Sequence, residues 1–114
     1  MVNWITLTGI EQLTAIIEKS YKTPQVLFKH STRCSVSGIV LKRMENAGIT
    51  PDADFYFIDL VSFRKISDKI AYCFDVYHES PQVLLIKNGE CIYDESHLGI
   101  TMHDLADQIF FLTS

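Results

Sequence analysis

One cysteine in this chain stands where its sulfur chemistry can be tuned. Cys34 lies between a short apolar run, Val26-Leu27-Phe28, and a helical apolar repeat that ends near Gly48. We expect Ser31 or Thr32 to cap that helix, which puts Cys34 in its first turn. Unpaired backbone N–H groups and the positive end of the helix dipole favour an anionic sulfur at this position. The pattern therefore predicts a reactive thiolate.

Two basic residues near the cysteine point the same way. Arg33 precedes Cys34, and Lys29 on the incoming strand is expected to add positive charge on the same side. A free cysteine has a pKa near ~8.5, and helix N-termini with cationic neighbours bring it to roughly 3.5–7.5. We interpret Cys34 as a nucleophile on this basis. The alternative interpretation is a small buried hydrophobic residue, as free cysteines often are.

The residues around Cys34 resemble the active-site turn of the thioredoxin superfamily. Ser37 occupies the position three after the cysteine, where a Cys-x-x-Cys protein has its second thiol. Thr32-Arg33-Cys34-Ser35-Val36-Ser37 is most similar to the Thr-x-Cys-Pro-Ile-Ser motif of the monothiol bacilliredoxins, small proteins of the bacillithiol redox system. The proline of that motif is Ser35 here, and proline at a first-turn position only pre-sets φ.

A second resemblance lies ahead of a predicted hairpin. Ser80-Pro81 is similar to the cis-proline loop that faces the active-site cysteine in the thioredoxin superfamily. Two features of thioredoxins are missing. Phe28 stands where they keep a buried carboxylate, and the motif holds no second cysteine. Together with the predicted order of strands and helices, the two resemblances cover the chain from about Thr8 onward.

The resemblance implies thiol–disulfide exchange by one cysteine, with bacillithiol as co-substrate and no tightly bound cofactor. Cys34 would take the small thiol from an S-thiolated client protein, and a second thiol would then regenerate it. Ser37 is expected to assist by donating a hydrogen bond to the thiolate, with helix capping or plain packing as alternatives. The candidate site comprises catalytic Cys34 and Ser37, with substrate-binding Lys29, Thr32, Arg33, Ser80 and Pro81.

Two other functions stay open at this point. One is the glutaredoxin-like carriage of an iron–sulfur cluster, although monothiol glutaredoxins have Cys-Gly-Phe-Ser and this chain has Ser35 and Val36 after its cysteine. The other is a redox-inert thioredoxin-like binding module in which Cys34 only packs. A phosphatase-type loop fits worse, because the arginine that clamps an oxyanion six residues after the cysteine is Val40 here.

Composition bounds the remaining choices. With 114 residues and a formal net charge of −4, we expect one domain, a monomer, and no general role with nucleic acid or membrane surfaces. No apolar run approaches ~20 residues and no signal peptide is evident, so we expect a cytoplasmic protein. Cys73 and Cys91 are interpreted as packing residues, and no histidine spacing typical of zinc sites occurs.

Strand and helix patterns alternate along the chain. We predict strands at residues 4–7, 24–29, 55–60, 82–87 and 90–94, and helices at residues 8–20, 31–48, 62–74 and from 101 onward. The order (β)αβαβαββα predicts an α/β fold with a mixed central sheet and helices on both faces, which matches the thioredoxin-like resemblance.

Local signals mark several of these boundaries. Thr8-Gly9-Ile10-Glu11 is typical of a capping box, and Ser62 is expected to cap the third helix. Asn88-Gly89 predicts a type I′ hairpin turn. The side chains expected to face the core from three helices are Ile10, Leu13, Ile16, Ile17 and Tyr21; Phe63, Ile66, Ile70 and Phe74; and Leu105, Ile109 and Leu112.

Overall fold

The computed structural model of the chain describes residues 2–113, and the side chains of residues 2–111. Within these residues there are five strands: β1 (Trp4–Thr6), β2 (Gln25–His30), β3 (Asp54–Asp59), β4 (Gln82–Lys87) and β5 (Glu90–Ser96). Four helices alternate with them: α1 (Glu11–Lys19), α2 (Ser35–Glu45), α3 (Arg64–Phe74) and α4 (Met102–Thr113), with a 3₁₀ turn at His97–Gly99. None of the helices within residues 2–113 has the length and apolar character needed to cross a membrane.

The five strands form one mixed sheet in the order β1-β3-β2-β4-β5. β2 lies at its centre, parallel to β3 and antiparallel to β4. Both faces of the sheet are covered by helices, as the alternating pattern predicts. The predicted α/β fold class and element order are therefore confirmed.

Side-chain alternation along β2 divides the interior into two cores. Val26 and Phe28 pack with residues of α2 and α4 on one face, whereas Leu27 packs with residues of α1 and α3 on the other. Successive side chains of a strand point to opposite faces. His30 therefore belongs to the α2 face, and Lys29 belongs to the α3 face.

The predicted hairpin is present, with Asn88 at φ 54° and Gly89 at φ 79°. Positive φ at both positions is what a type I′ turn requires. The turn also docks on the end of α1, because the Gly89 N–H donates a hydrogen bond to Ser20 Oγ at 2.8 Å. This contact fixes the hairpin against the helix that precedes β2.

Three predicted helix caps are wrong. Instead of a Thr8–Glu11 capping box, Gln12 Oε1 accepts hydrogen bonds from the N–H groups of Thr8 and Gly9, at 2.8 and 3.0 Å. The Ser62 hydroxyl donates to the Asp59 carboxylate at 3.2 Å and does not cap α3. Neither Ser31 nor Thr32 caps α2, whose N-cap residue is Cys34 itself. In each case a neighbouring side chain or turn outcompetes the local hydroxyl.

The predicted core is confirmed for most helix positions and wrong for a few. Ile10 and Tyr21 are exposed, and both lie outside α1, one just before its first residue and one just after its C-cap residue. Cys73 is exposed as well, so it is not the packing residue that the sequence suggested, and Cys91 is half-buried. The side chain of Leu112 lies outside the described residues.

Candidate active site

The centre of the site is a tight turn between β2 and α2. The Cys34 N–H donates to the Ser31 carbonyl at 3.2 Å, and the Cys34 carbonyl accepts from the Ser37 and Gly38 N–H groups at 3.1 and 3.4 Å. Cys34 is extended at φ −115° and ψ 117°, so it is the N-cap residue, one position before the predicted first turn. Cys34 is a half-buried residue and forms no disulfide. The positive end of α2 therefore lies next to a free thiol.

The Ser37 hydroxyl stabilises this turn through two hydrogen bonds. Ser37 is fully buried, and its Oγ lies 2.7 Å from His30 Nδ1 and accepts a hydrogen bond from the Ser31 N–H at 3.1 Å. The bond to the Cys34 sulfur that the sequence suggested is replaced by these two. Ser37 thus ties the end of β2 and the start of the turn to the first turn of α2.

His30 is a buried, aromatic-packed partner of Ser37. The residue is 7% exposed, and the centroid of its ring lies 5.2 Å from that of Phe57 and 5.9 Å from that of Phe28. Burial lowers the pKa of His30, while the nearby Asp59 carboxylate opposes this change. At neutral pH the imidazole is therefore predominantly uncharged and serves to hold Ser37.

Lys29 lies in a different place from the one the sequence suggested. Its side chain is fully buried on the α3 face, and Nζ lies 3.4 Å from both the Ser67 carbonyl and His78 Nδ1. Burial lowers the pKa of Lys29 to about 8, and the Asp68 carboxylate partly opposes this. The strand's alternation is the physical reason, because it turns Lys29 away from the face that carries α2. Lys29 therefore adds no surface charge beside Cys34.

The loop before β4 supplies the other half of the site. The Ser80–Pro81 peptide bond is cis, as the resemblance implied. Ser80 Oγ is buried without a hydrogen-bond partner among residues 2–111. Ser80 lines a cavity of about 360 Å³ together with Ser31 and Arg33 from the cysteine's turn. The structure thus brings the two sequence motifs to one cavity.

Two further residues of this cavity were missed by the sequence analysis. Arg64 begins α3, and His78 lies two residues before Ser80. The only sequence signal for His78 was its nearness to Ser80-Pro81. Arg64 gave none, because its approach to the turn depends on how α3 packs against the sheet.

The structure has a single thiol at the start of the helix that follows the central strand, and a cis-proline loop lines the adjoining cavity. This is the arrangement that the thioredoxin resemblance implied. The class is therefore that of thioredoxin-fold thiol oxidoreductases. The family model of the monothiol bacilliredoxin BrxC matches residues 5–105. The chain belongs to this monothiol bacilliredoxin family.

Solved structures agree with the fold. A structure described as a proposed oxidoreductase with a thioredoxin fold shares 29% identity, covers 91% of each chain and superposes with a TM-score of 0.76. Thioredoxin from Schistosoma mansoni shares 19% identity, covering 96% of this chain and 94% of its own, with a TM-score of 0.73. A thioredoxin variant from Halobacterium salinarum shares 16% identity, covering 98% and 92%, with a TM-score of 0.75. The latter two show the thioredoxin fold.

Proposed function

We propose that the chain removes bacillithiol from S-thiolated cytoplasmic proteins, with Cys34 as its single nucleophile. The observation that carries the proposal is the free thiol of the half-buried Cys34 at the N-terminus of α2, in a member of the bacilliredoxin family. Helix N-termini stabilise thiolates, which are the attacking species in disulfide exchange. The exposed Arg33 beside it adds positive charge.

The reaction balances without any further oxidant. The Cys34 thiolate attacks the bacillithiol sulfur of the mixed disulfide on the client protein. The client's sulfur leaves with the electron pair of the broken S–S bond and takes up a proton. Cys34 then carries bacillithiol in a new disulfide. A second bacillithiol thiolate attacks that adduct, releases Cys34 as a thiolate and leaves as bacillithiol disulfide.

The surroundings of Cys34 support this one-cysteine route. The position where a dithiol protein has its second sulfur is Ser37, whose buried hydroxyl is bonded to His30 and Ser31. The Cys34 adduct cannot be resolved from within the motif. An external thiol must therefore complete the cycle, which fits bacillithiol as the co-substrate.

The cis-proline loop supports recognition of the peptide-like part of a substrate. The main-chain N–H and C=O of Ser80 have no backbone partner within residues 2–113. An extended substrate segment can add to such an edge through main-chain hydrogen bonds. In this proposal Pro81 shapes that edge, and Thr32 and Arg33, both exposed, border the sulfur from the other side.

Serine replacements of the three cysteines test the assignment. A client protein carrying bacillithiol on one cysteine is incubated with each variant and excess bacillithiol, and the fraction of client whose cysteine has become reduced is measured by intact-protein mass. Cys34→Ser should lose activity to the uncatalysed rate. Cys73→Ser and Cys91→Ser, whose sulfurs lie at the far end of α3 and in β5, should keep most of it. Loss of activity in either control with retention in Cys34→Ser would refute the proposal.

A further inference from the structure

The cavity of about 360 Å³ beside the active-site turn is cationic. It lies between that turn, the start of α3 and the cis-proline loop. Arg33 and Arg64 line it, and none of its lining residues is acidic. Two guanidinium groups on one small cavity repel each other unless an anion lies between them. The wall therefore has the charge that suits a carboxylate-bearing ligand.

Both arginines have guanidinium N–H groups without a hydrogen-bond partner among the described side chains. Arg33 makes no side-chain hydrogen bond or ion pair with residues 2–111, and only its backbone N–H is bonded, to Ser31 Oγ at 3.3 Å. Arg64 uses Nε to pair with Asp68 Oδ1 at 3.3 Å, and the two side chains are 63% and 61% exposed. Its two terminal nitrogens remain available. Together the arginines can bind a ligand with two carboxylates, since each guanidinium offers a planar pair of N–H donors.

Two neutral groups on the same cavity can donate hydrogen bonds to the ligand. Ser80 Oγ is buried and has no partner within residues 2–111. His78 Nδ1 lies 2.9 Å from Ser67 Oγ and 3.4 Å from Lys29 Nζ, and a charged lysine ammonium can donate hydrogen bonds but cannot accept them. Nδ1 is then the acceptor of the ring, and Nε2 carries the proton. An unpaired buried hydroxyl is costly to the folded protein unless a ligand completes it.

We propose that this cavity binds the dicarboxylate end of the small thiol, with Arg33 and Arg64 as the charge partners and Ser80 Oγ and His78 Nε2–H as donors. The inference rests on the proposed function, and Arg33, which precedes Cys34 in the chain and lines the cavity, links the reacting sulfur to the cavity. Bacillithiol carries its two carboxylates on a malate group. Arg64 then determines specificity, since a neutral small thiol makes none of these charge pairs.

Binding of an unreactive ligand tests the cavity apart from turnover. S-methyl bacillithiol, a thioether that cannot undergo exchange, and its malate dimethyl ester are titrated into the native chain by calorimetry. We expect the dicarboxylate to bind about tenfold more tightly than the ester, which is the size of effect that two exposed charge pairs can produce. This preference should shrink in 0.5 M salt, because salt screens exposed charges. Equal affinities for the two ligands would overturn the inference.

A matched pair of substitutions tests Arg64 itself. Arg64→Gln should reduce the tenfold preference to about threefold or less, and Arg64→Lys should restore part of it. Lys65→Gln removes the same charge from the next residue of α3, which does not line this cavity, and should keep the preference. Equal effects of Arg64→Gln and Lys65→Gln would overturn the inference.

The two proposals fail in different ways. If the native chain removes bacillithiol from a client but shows no preference for the dicarboxylate ligand, the proposed function holds and the cavity assignment is wrong. If the preference depends on Arg64 while the client keeps its bacillithiol, the cavity assignment holds and the proposed function is wrong.

Discussion

The Ser37 hydroxyl lies 2.7 Å from His30 Nδ1 in the interior of the protein, although the two residues are seven positions apart in sequence. The same oxygen accepts the Ser31 N–H at 3.1 Å. The residue three after the cysteine therefore holds the end of the central strand and the beginning of the active-site turn together. This relationship fixes where the chain presents Cys34, and it assigns Ser37 a positioning role.

Removing the Ser37 hydroxyl should destabilise the fold. In Ser37→Ala the buried His30 ring nitrogen and the Ser31 N–H both lose a partner, so we expect the free energy of unfolding to fall by about 1–3 kcal/mol. Ser35→Ala, at an exposed position of the same helix, should change it by less than about 0.5 kcal/mol. Denaturant titration measures both. Equal stabilities of the two variants would contradict the positioning role.

Stability should decline in mild acid because of His30. Burial lowers its folded-state pKa, so between that value and the unfolded value near ~6.5 the unfolded chain binds more protons. The free energy of unfolding therefore falls as pH drops through this window. His78, whose pKa burial and the nearby Lys29 charge also lower, acts in the same direction. In His30→Asn the decline between pH 7 and 5 should be shallower, as measured by urea unfolding. An unchanged slope would argue against a buried neutral His30.

Replacing the buried Lys29 should stabilise the protein at neutral pH. Lys29→Met keeps the length of the side chain and removes a buried cation, so we expect a gain of about 1–3 kcal/mol. The gain should shrink as pH rises from about 8 to 9.5, because the folded protein with Lys29, whose pKa is about 8, then loses its buried charge before the unfolded chain does. Exposed Lys65→Met is the control. A less stable Lys29→Met at pH 7 would mean that the charge itself holds Ser67 and His78.

The three thiols should react at different rates in the folded protein. Burial raises the pKa of Cys91 to about 11, and its Sγ lies 3.4 Å from the Tyr93 carbonyl, so alkylation at pH 7 should reach it last. Cys34 should react before the exposed Cys73, because the N-terminus of α2 favours its thiolate, whereas accessibility alone would favour Cys73. Peptide mass spectrometry after a brief iodoacetamide pulse gives the order. Modification of Cys73 ahead of Cys34 would favour a redox-inert binding module.

The sequence predicts the fold well because its signals are local. Apolar periodicity and the Asn88-Gly89 turn act within a few residues, and both the element order and the hairpin are confirmed. The helix caps are wrong where a second local partner competes, as Gln12 does at the start of α1. Several nearby groups could satisfy these N–H donors, and residue type alone does not rank them.

The sequence predicts the site less well than the fold, because the contacts within the site depend on how the helices cover the two faces of the sheet. Cys34 and the cis peptide at Pro81 follow from motif resemblance, and the structure bears out the cis bond. The positions of Lys29 and Arg64 depend on which helix covers which face of β2, and a strand pattern leaves that open until the topology is known. The Ser37–His30 bond likewise requires the turn between them to fold back.

Locating the transferred thiol tests the central claim most directly. The native chain is mixed with a stoichiometric amount of bacillithiolated client in the absence of free bacillithiol, quenched in acid, digested without reductant and mapped by mass spectrometry. We predict bacillithiol on the peptide that contains Cys34 and a reduced client cysteine. A bacillithiol adduct on Cys73 or Cys91, or a disulfide joining Cys34 to the client, would contradict the account.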